Sequence, residues 1–417
     1  MTIINGLRVI EFNLLWIAGV LAWTAAVLLF VDTRGSLKIQ VGVILGFGIL
    51  LIALAYHRQA PVDFNTLANS STGLMTMIAA VGFLQLAVIP DTRIATSLPR
   101  GPGAFWRTML GLNLSASVIN VSAPILMADR IHAQRPLDRF SAQTMTRIFC
   151  GVSSWSPFFG AMAVVLTYVN HASLGWIMLA GLPFTLIGFF GVYAEAHLRY
   201  AHDLKRFIGY PMQFSMLKIP VLLIIVVLTL SQLLAEAPVL ILIAVSALSV
   251  TIAALLFRHG LRPAYELLLN HVFTGLPRIV NELCLFLVAG VLAAGISALI
   301  QSGMLSNPFT AFDATVAAQL LAVMVVCGFF GIHPIILISA FSPTVLTLDP
   351  DPNLLATTFL LGWHLGTCAN PLSGTNLVFQ GRYGLPGWKI ALWNSPYAIV
   401  MTAVGAVWLQ LVGKLLP

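Results

Sequence analysis

Apolar residues fill most of this chain in long charge-free runs, and four of those runs are interrupted by helix breakers and small polar side chains. Spanning helices are predicted near 12–31, 39–56, 71–90, 148–169, 174–194, 219–235, 237–257, 283–301, 354–380 and 390–413. Each run approaches the roughly twenty residues that cover a hydrocarbon layer of about 30 Å at about 1.5 Å per residue. The interruptions are LSASVINVSAP (Leu114 to Pro124), GVSSWSP (Gly151 to Pro157), CGFFGIHP (Cys327 to Pro334) and ANPLSGTN (Ala369 to Asn376).

A chain irregularity inside lipid strands backbone groups without partners, so it persists only where it lines protein or a binding site. Residues 108–128 are free of charge with Ser117, Asn120, Ser122 and Pro124 at their centre. Two arms of ten residues, each roughly 15 Å long, explain this better than one crossing. Residues 314–348 are too long for one crossing and carry Gly328, Gly331 and Pro334 mid-run. Both are therefore expected to be re-entrant hairpins, and 148–169 and 354–380 to be broken helices.

The order of elements repeats. A first half (1–200) holds scaffold spans, hairpin 108–128 and broken helix 148–169; a cytoplasmic linker (201–218) follows; a second half (219–417) holds hairpin 314–348 and broken helix 354–380. The expected fold is all-α, with about ten transmembrane helices and two re-entrant hairpins in an inverted repeat, an arrangement that supports alternating access in secondary transporters.

Composition narrows the class. With 59% hydrophobic and 8% charged residues, this is a polytopic membrane protein. The formal charge of +7 is a topology signal: with those spans and hairpins, all but Arg8, Arg58 and Lys414 of the 21 lysines and arginines fall on one side. The positive-inside rule makes that side cytoplasmic, and counting either hairpin as a full crossing destroys the asymmetry. Arg147, directly before the first broken helix, is read as one of these cytoplasmic anchors, with contact to an anionic substrate as the other reading. The linker's charges begin at Glu195. Cys150, Cys284, Cys327 and Cys368 stand in apolar runs and read as buried thiols.

Four helix ends meeting near the midplane supply partial charges of about +0.5 and −0.5 together with free N–H and C=O groups. Beside them stand Ser117, Asn120, Ser122, Ser153, Ser154, Asn370, Ser373, Thr375 and Asn376, with Ser115 and Ser156. These ligate a cation or hydrogen-bond a carboxylate without burying a formal charge, which is expensive at the bilayer centre; helix–helix packing is the competing role. His333 and His364 are the titratable groups placed deep in the second half, read either as proton-responsive sites or as neutral, hydrogen-bonded histidines. Trp155 and Trp363 read as pocket walls or as packing. No His-Glu-x-x-His is present, and Asp349 and Asp351 flank prolines in an outer turn. The chain thus offers no catalytic set, and no cofactor is expected.

The layout resembles the ion transporter superfamily, which includes divalent anion/sodium symporters and anaerobic dicarboxylate carriers. The likeness is strongest at Asn370-Pro-Leu-Ser-Gly-Thr-Asn376, similar to the Pro-x-Gly-Thr-x-x-Asn break of those carriers. At the first tip only Asn120 matches their Ser-Asn-Thr, and the second tip replaces it with Gly331-Ile-His-Pro334. The resemblance implies a homodimer whose hairpins and broken helices move as an elevator within a rigid scaffold. The expectation is a secondary carrier of a small organic anion, a carboxylate, coupled to Na⁺ or H⁺, with candidate Na⁺ ligands at Asn120 and Asn376, in a bacterial inner membrane. The alternatives are cation/proton exchange or inorganic-anion export on the same fold and, more remotely, an integral-membrane enzyme.

Overall fold

A computed structural model describes residues 2–33, 35–60, 72–88, 98–210, 218–234, 236–307 and 309–415. Arg34, Arg93 and residues 211–217 of the linker lie outside them, so the expectations placed there are not addressed. Among the described residues the regular structure is helical, apart from one isolated bridge between Arg100 and Ile208.

The first half contains α1 (Thr2–Leu29), α2 (Gly35–His57), α3 (Thr72–Gly82), α4 (Leu84–Val88), α5 (Pro102–Ile119), α6 (Ser122–His132), α7 (Arg139–Val152), α8 (Gly160–Tyr168) and α9 (Leu174–Arg199). A short α10 (Ala201–Lys205) follows. Then come α11 (Lys218–Leu233), α12 (Val239–His259), α13 (Leu261–Thr274), α14 (Val280–Gln301), α15 (Ala314–Phe329), α16 (Pro334–Leu346), α17 (Pro352–Ala369), α18 (Gly374–Tyr383) and α19 (Gly387–Leu415). Among the described residues five stretches are long and apolar enough to cross a membrane: Leu37–His57, Leu174–Arg199, Val239–His259, Leu261–Gln301 and Gly387–Leu415. The protein is an integral membrane protein.

Helices of the two halves pack on one another: α2 lies along α14 and α3 along α12, and α17 is surrounded by α7, α9, α15 and α19. Between lipid-embedded helices there is no hydrophobic drive, so close packing holds them and small residues mark the crossings. A Cβ on Gly295 of α14 would lie 2.8 Å from Leu51 Cβ and 2.9 Å from Gly48 O on α2. Leu354–Ala369 of α17 is almost wholly buried, as befits a helix apolar on all sides.

The helical pairs fall where the interruptions predict, with shifted ends. Residues 108–128 are divided between α5 and α6, and residues 314–348 between α15 and α16. Broken helix 354–380 is α17 and α18, whereas 148–169 begins a full nine residues earlier, at Arg139 of α7. Phe140 to Val152 of α7 are all buried, including Ser141, Gln143, Thr144, Thr146 and Arg147. The reading of Arg147 as a cytoplasmic anchor facing water is thus overturned: neighbouring helices supply the polar partners that water was expected to supply.

Two further differences concern the segments between spans. Glu195, read as the start of the linker, belongs to the last turns of α9. Residues 258–282, left between two expected spans, contain α13, whose buried residues are Ala264 and His271.

Candidate functional site

In each half one asparagine joins the turn between two successive helices, the tip, to a helix break. At the first tip α5 ends on Asn120, which takes φ +51° and whose N–H bonds Ala116 O at 3.0 Å. Asparagine enters this left-handed region more readily than other residues with a Cβ. Its Nδ2 donates to Phe158 O at 3.2 Å, inside the break between α7 and α8. In the second half the amide is on the opposite partner. Asn370, in the break between α17 and α18, donates Nδ2 to Ile332 O of the second tip at 3.0 Å.

The first break, residues 153–159, is stapled by its serines. Ser156 Oγ donates to Ser117 O at 2.6 Å, tying the break to the hairpin arm, and accepts Phe158 N–H at 3.2 Å. Ser154 Oγ pairs with His364 Nδ1 of α17 at 3.0 Å, reaching the other half. Ser153 bonds back to Cys150 O at 2.7 Å, and Ser117 likewise to Leu114 O at 2.8 Å, so their hydroxyls are spent locally. The break lies against α9 because residue 181 is glycine: a Cβ there would fall 1.8 Å from Ser154 O.

The second break, residues 370–373, is tighter. Asn370 Oδ1 accepts Leu372 N–H at 2.7 Å, Asn370 O accepts from Asn376 Nδ2 at 2.9 Å, and Ser373 caps α18 by accepting Asn376 N–H at 3.4 Å. Thr375 is buried in the first turn of α18. His333 is the N-cap of α16, its Nδ1 accepting Ile335 N–H at 3.3 Å, and its ring meets Trp363 edge-on at 5.1 Å.

The predicted residues therefore gather about two joints, with exceptions. Ser122 turns away from the breaks and donates to Gln85 Oε1 of α4 at 3.5 Å. Asn120 and Asn376, the candidate Na⁺ ligands, both donate their Nδ2 within their own half, leaving Oδ1 as the oxygen that a cation would take. Of the four cysteines, Cys150, Cys284 and Cys368 are buried and Cys327 is half-buried.

Among the described residues, three buried polar atoms near these joints have no hydrogen-bond partner: Ser115 Oγ on α5, Trp155 Nε1 in the first break and Thr367 Oγ1 in the last turn before the second. Buried polar groups are almost always paired, so orphans of this kind call for a partner.

A polar network that sequence reading missed lies beside the joints. Arg147 of α7 is 3% exposed; its guanidinium pairs with Glu195 of α9, donates from Nε to Asn394 Oδ1 at 3.0 Å and from Nη2 to Trp393 O at 3.0 Å, and lies 5.0 Å from the centre of the Tyr397 ring. Asn394 Nδ2 bridges Thr146 Oγ1 at 3.0 Å and Cys368 O at 3.3 Å. Tyr397 OH reaches His364 Nε2 at 3.4 Å, which continues the chain to Ser154. His364 is thus held by two side chains rather than a carbonyl. The available signal was Arg147 itself, an arginine next to an apolar run with Glu195 within a helix length of the following span.

No family model matches the chain, and no curated protein matches it in sequence. Its fold is that of a membrane transporter of known structure. The chain is similar to the YdaH transporter of Alcanivorax borkumensis, described as having an unusual topology, with a TM-score of 0.52 over 89% of this chain and 97% of that one. At 11% identity the likeness concerns the fold alone.

Proposed function

We propose that this protein is a secondary active transporter of a small organic anion bearing a carboxylate, driven by a Na⁺ or H⁺ gradient across a bacterial cytoplasmic membrane. The observation that carries the reading is the doubled joint: Asn120 to Phe158 O in one half and Asn370 to Ile332 O in the other, each pinning a hairpin tip to a helix break. Irregular backbone at this depth is a feature of carrier sites, where half-helix ends and small polar groups hold cargo. The orphan groups on Ser115, Trp155 and Thr367 offer it hydrogen-bond partners. The similarity in fold to a solved transporter supports the same class.

In this reading the two halves form an inverted repeat of about ten spans and two re-entrant hairpins, as in the ion transporter superfamily. The packed pairs α2 with α14 and α3 with α12 serve as the scaffold of a homodimer. The hairpins and broken helices carry the cargo past it as an elevator, with Asn120, Ser154, Asn370, Thr375 and Asn376 as ligands.

The test is uptake into proteoliposomes of a panel of mono-, di- and tricarboxylates under imposed Na⁺ or pH gradients. Gradient-driven accumulation of one class is expected, with Asn120→Ala and Asn376→Ala lowering it strongly. Unchanged uptake in both variants refutes the site, and no uptake of any anion refutes the function. His333→Gln is expected to remove the response to a pH gradient if protons are the coupling ion.

A further inference from the structure

Among the described residues, Arg147 is the one lysine or arginine whose side chain is buried. It is held by a single carboxylate. Removing a cation and an anion from water together is weakly favourable at best, and a buried pair is often no more stable than apolar residues of the same size. The pair therefore points to a role other than stability.

Its surroundings indicate which. Glu195 is 21% exposed and already lies 3.6 Å from a second cation, Arg199, itself 69% exposed. The counter-ion is thus the wetter member and has another partner on its own helix. Arg139, also exposed, stacks at 5.5 Å over Trp393, whose carbonyl holds Arg147. Two exposed arginines thus flank the approach to one buried guanidinium. Inward, Asn394 connects Arg147 to Cys368 O in the last turn before the second break, and Tyr397 connects it through His364 to Ser154 in the first. Arg147 thus touches a partly exposed carboxylate and is linked to the turn before the second break through Asn394 and to the first break through Tyr397 and His364.

We infer that Arg147 is an anion-recognition site at which an incoming carboxylate displaces Glu195, which remains paired with Arg199. The guanidinium fork accepts a carboxylate or a similar oxyanion through two parallel hydrogen bonds. Exchange of one carboxylate for another leaves the buried charge at zero, so the site selects an anion that presents one negative group to it. Asn394 and Tyr397 relay occupancy to the two breaks. This inference rests on the transport reading only for its physiological meaning; binding is measurable without transport.

The experiment is thermal unfolding of the purified full chain in detergent, titrated with benzoate, succinate and methylphosphonate, and with benzamide as the uncharged control. Benzoate is expected to raise the unfolding temperature while benzamide has no effect. Glu195→Gln, which frees the guanidinium, should tighten benzoate by at least about tenfold, the scale of removing a buried charge's competitor. Should that variant not fold, Glu195→Asp, which shortens the carboxylate's reach, carries the same sign. Arg147→Met/Glu195→Leu replaces the pair with apolar residues of similar volume, so it should fold and lose the response. The inference is overturned if that double variant responds to benzoate like the wild type, or if no anion shifts the wild type and the Glu195 variants alike. Uptake that survives the double variant removes Arg147 and leaves the carrier; anion binding without uptake of any substrate removes the carrier and leaves Arg147.

Discussion

The two joints between hairpin tip and helix break solve one problem with inverted roles. In the first half the amide sits on the tip, where Asn120 reaches into a seven-residue break stapled by Ser154 and Ser156; in the second it sits in the break, where Asn370 reaches out to a tip shaped by Gly331 and His333. Both tips depart from ordinary backbone angles, with Asn120 at φ +51° and Gly331 at φ +85°. The lesson is that what recurs is a hydrogen bond between tip and break, while the residue supplying it changes sides. The two helices that lead into the breaks also differ in charge: α7 buries Arg147, whereas α17 buries His364. The network that joins them is therefore lopsided, anchored by an ion pair on one side and by a histidine on the other.

The largest expected effect tests that lopsidedness. Glu195→Ala leaves Arg147 as an uncompensated buried cation and should destabilise the protein by about 3–5 kcal/mol, while Arg147→Met/Glu195→Leu should recover most of the loss. Denaturant titration of the purified protein reads both. A single variant as stable as the wild type would mean that the pair is not buried as described.

Next comes the unequal weight of the two asparagines. Asn370 makes two side-chain bonds and its carbonyl takes a third from Asn376, so Asn370→Ala is expected to cost about 2–3 kcal/mol through orphaned buried groups. Asn120→Gly loses one bond but relieves the left-handed backbone, and should cost less than about 1 kcal/mol. Equal losses in the two variants would show the joints to be energetically alike. At the second tip, Gly331→Ala puts a Cβ 3.0 Å from Leu372 Cδ1 on a residue at positive φ, for a loss of about 1–2 kcal/mol. Labelling of a cysteine introduced at Ile332 should rise in parallel as the tip loosens.

The smallest effects concern the long bonds that fasten the tips to helices outside the breaks. Gln85 meets Ser122 at 3.5 Å, and Gln40 Nε2 meets Gly331 O at 3.3 Å. Gln85→Leu and Gln40→Leu should each shift stability by under about 1 kcal/mol. A larger loss for only one of them would reveal which tip is the more tightly held.

Much of this was legible in the order of residues. The charge-free runs marked the membrane helices, since burying a charge in hydrocarbon is prohibitive along any such run. The four interruptions marked the tips and breaks, since Asn, Gly and Pro leave the helix for local steric reasons. Asn120, Ser154, Asn370 and Asn376 could be singled out because small polar residues within apolar runs stand out against their neighbours.

What only the tertiary structure decided is who meets whom. Arg147 looked like a surface anchor because a charge beside an apolar run ordinarily faces water; it is buried because Glu195, Asn394 and Trp393 O are brought to it by helices far away along the chain. The same holds for Ser154 with His364 and for the swapped asparagines. Hydropathy and turn chemistry act over a few residues, so the chain itself dictates its spans and its breaks. Neutralising a buried charge or pairing a buried amide needs one partner at about 3 Å, and that partner is selected by the packing of the whole bundle.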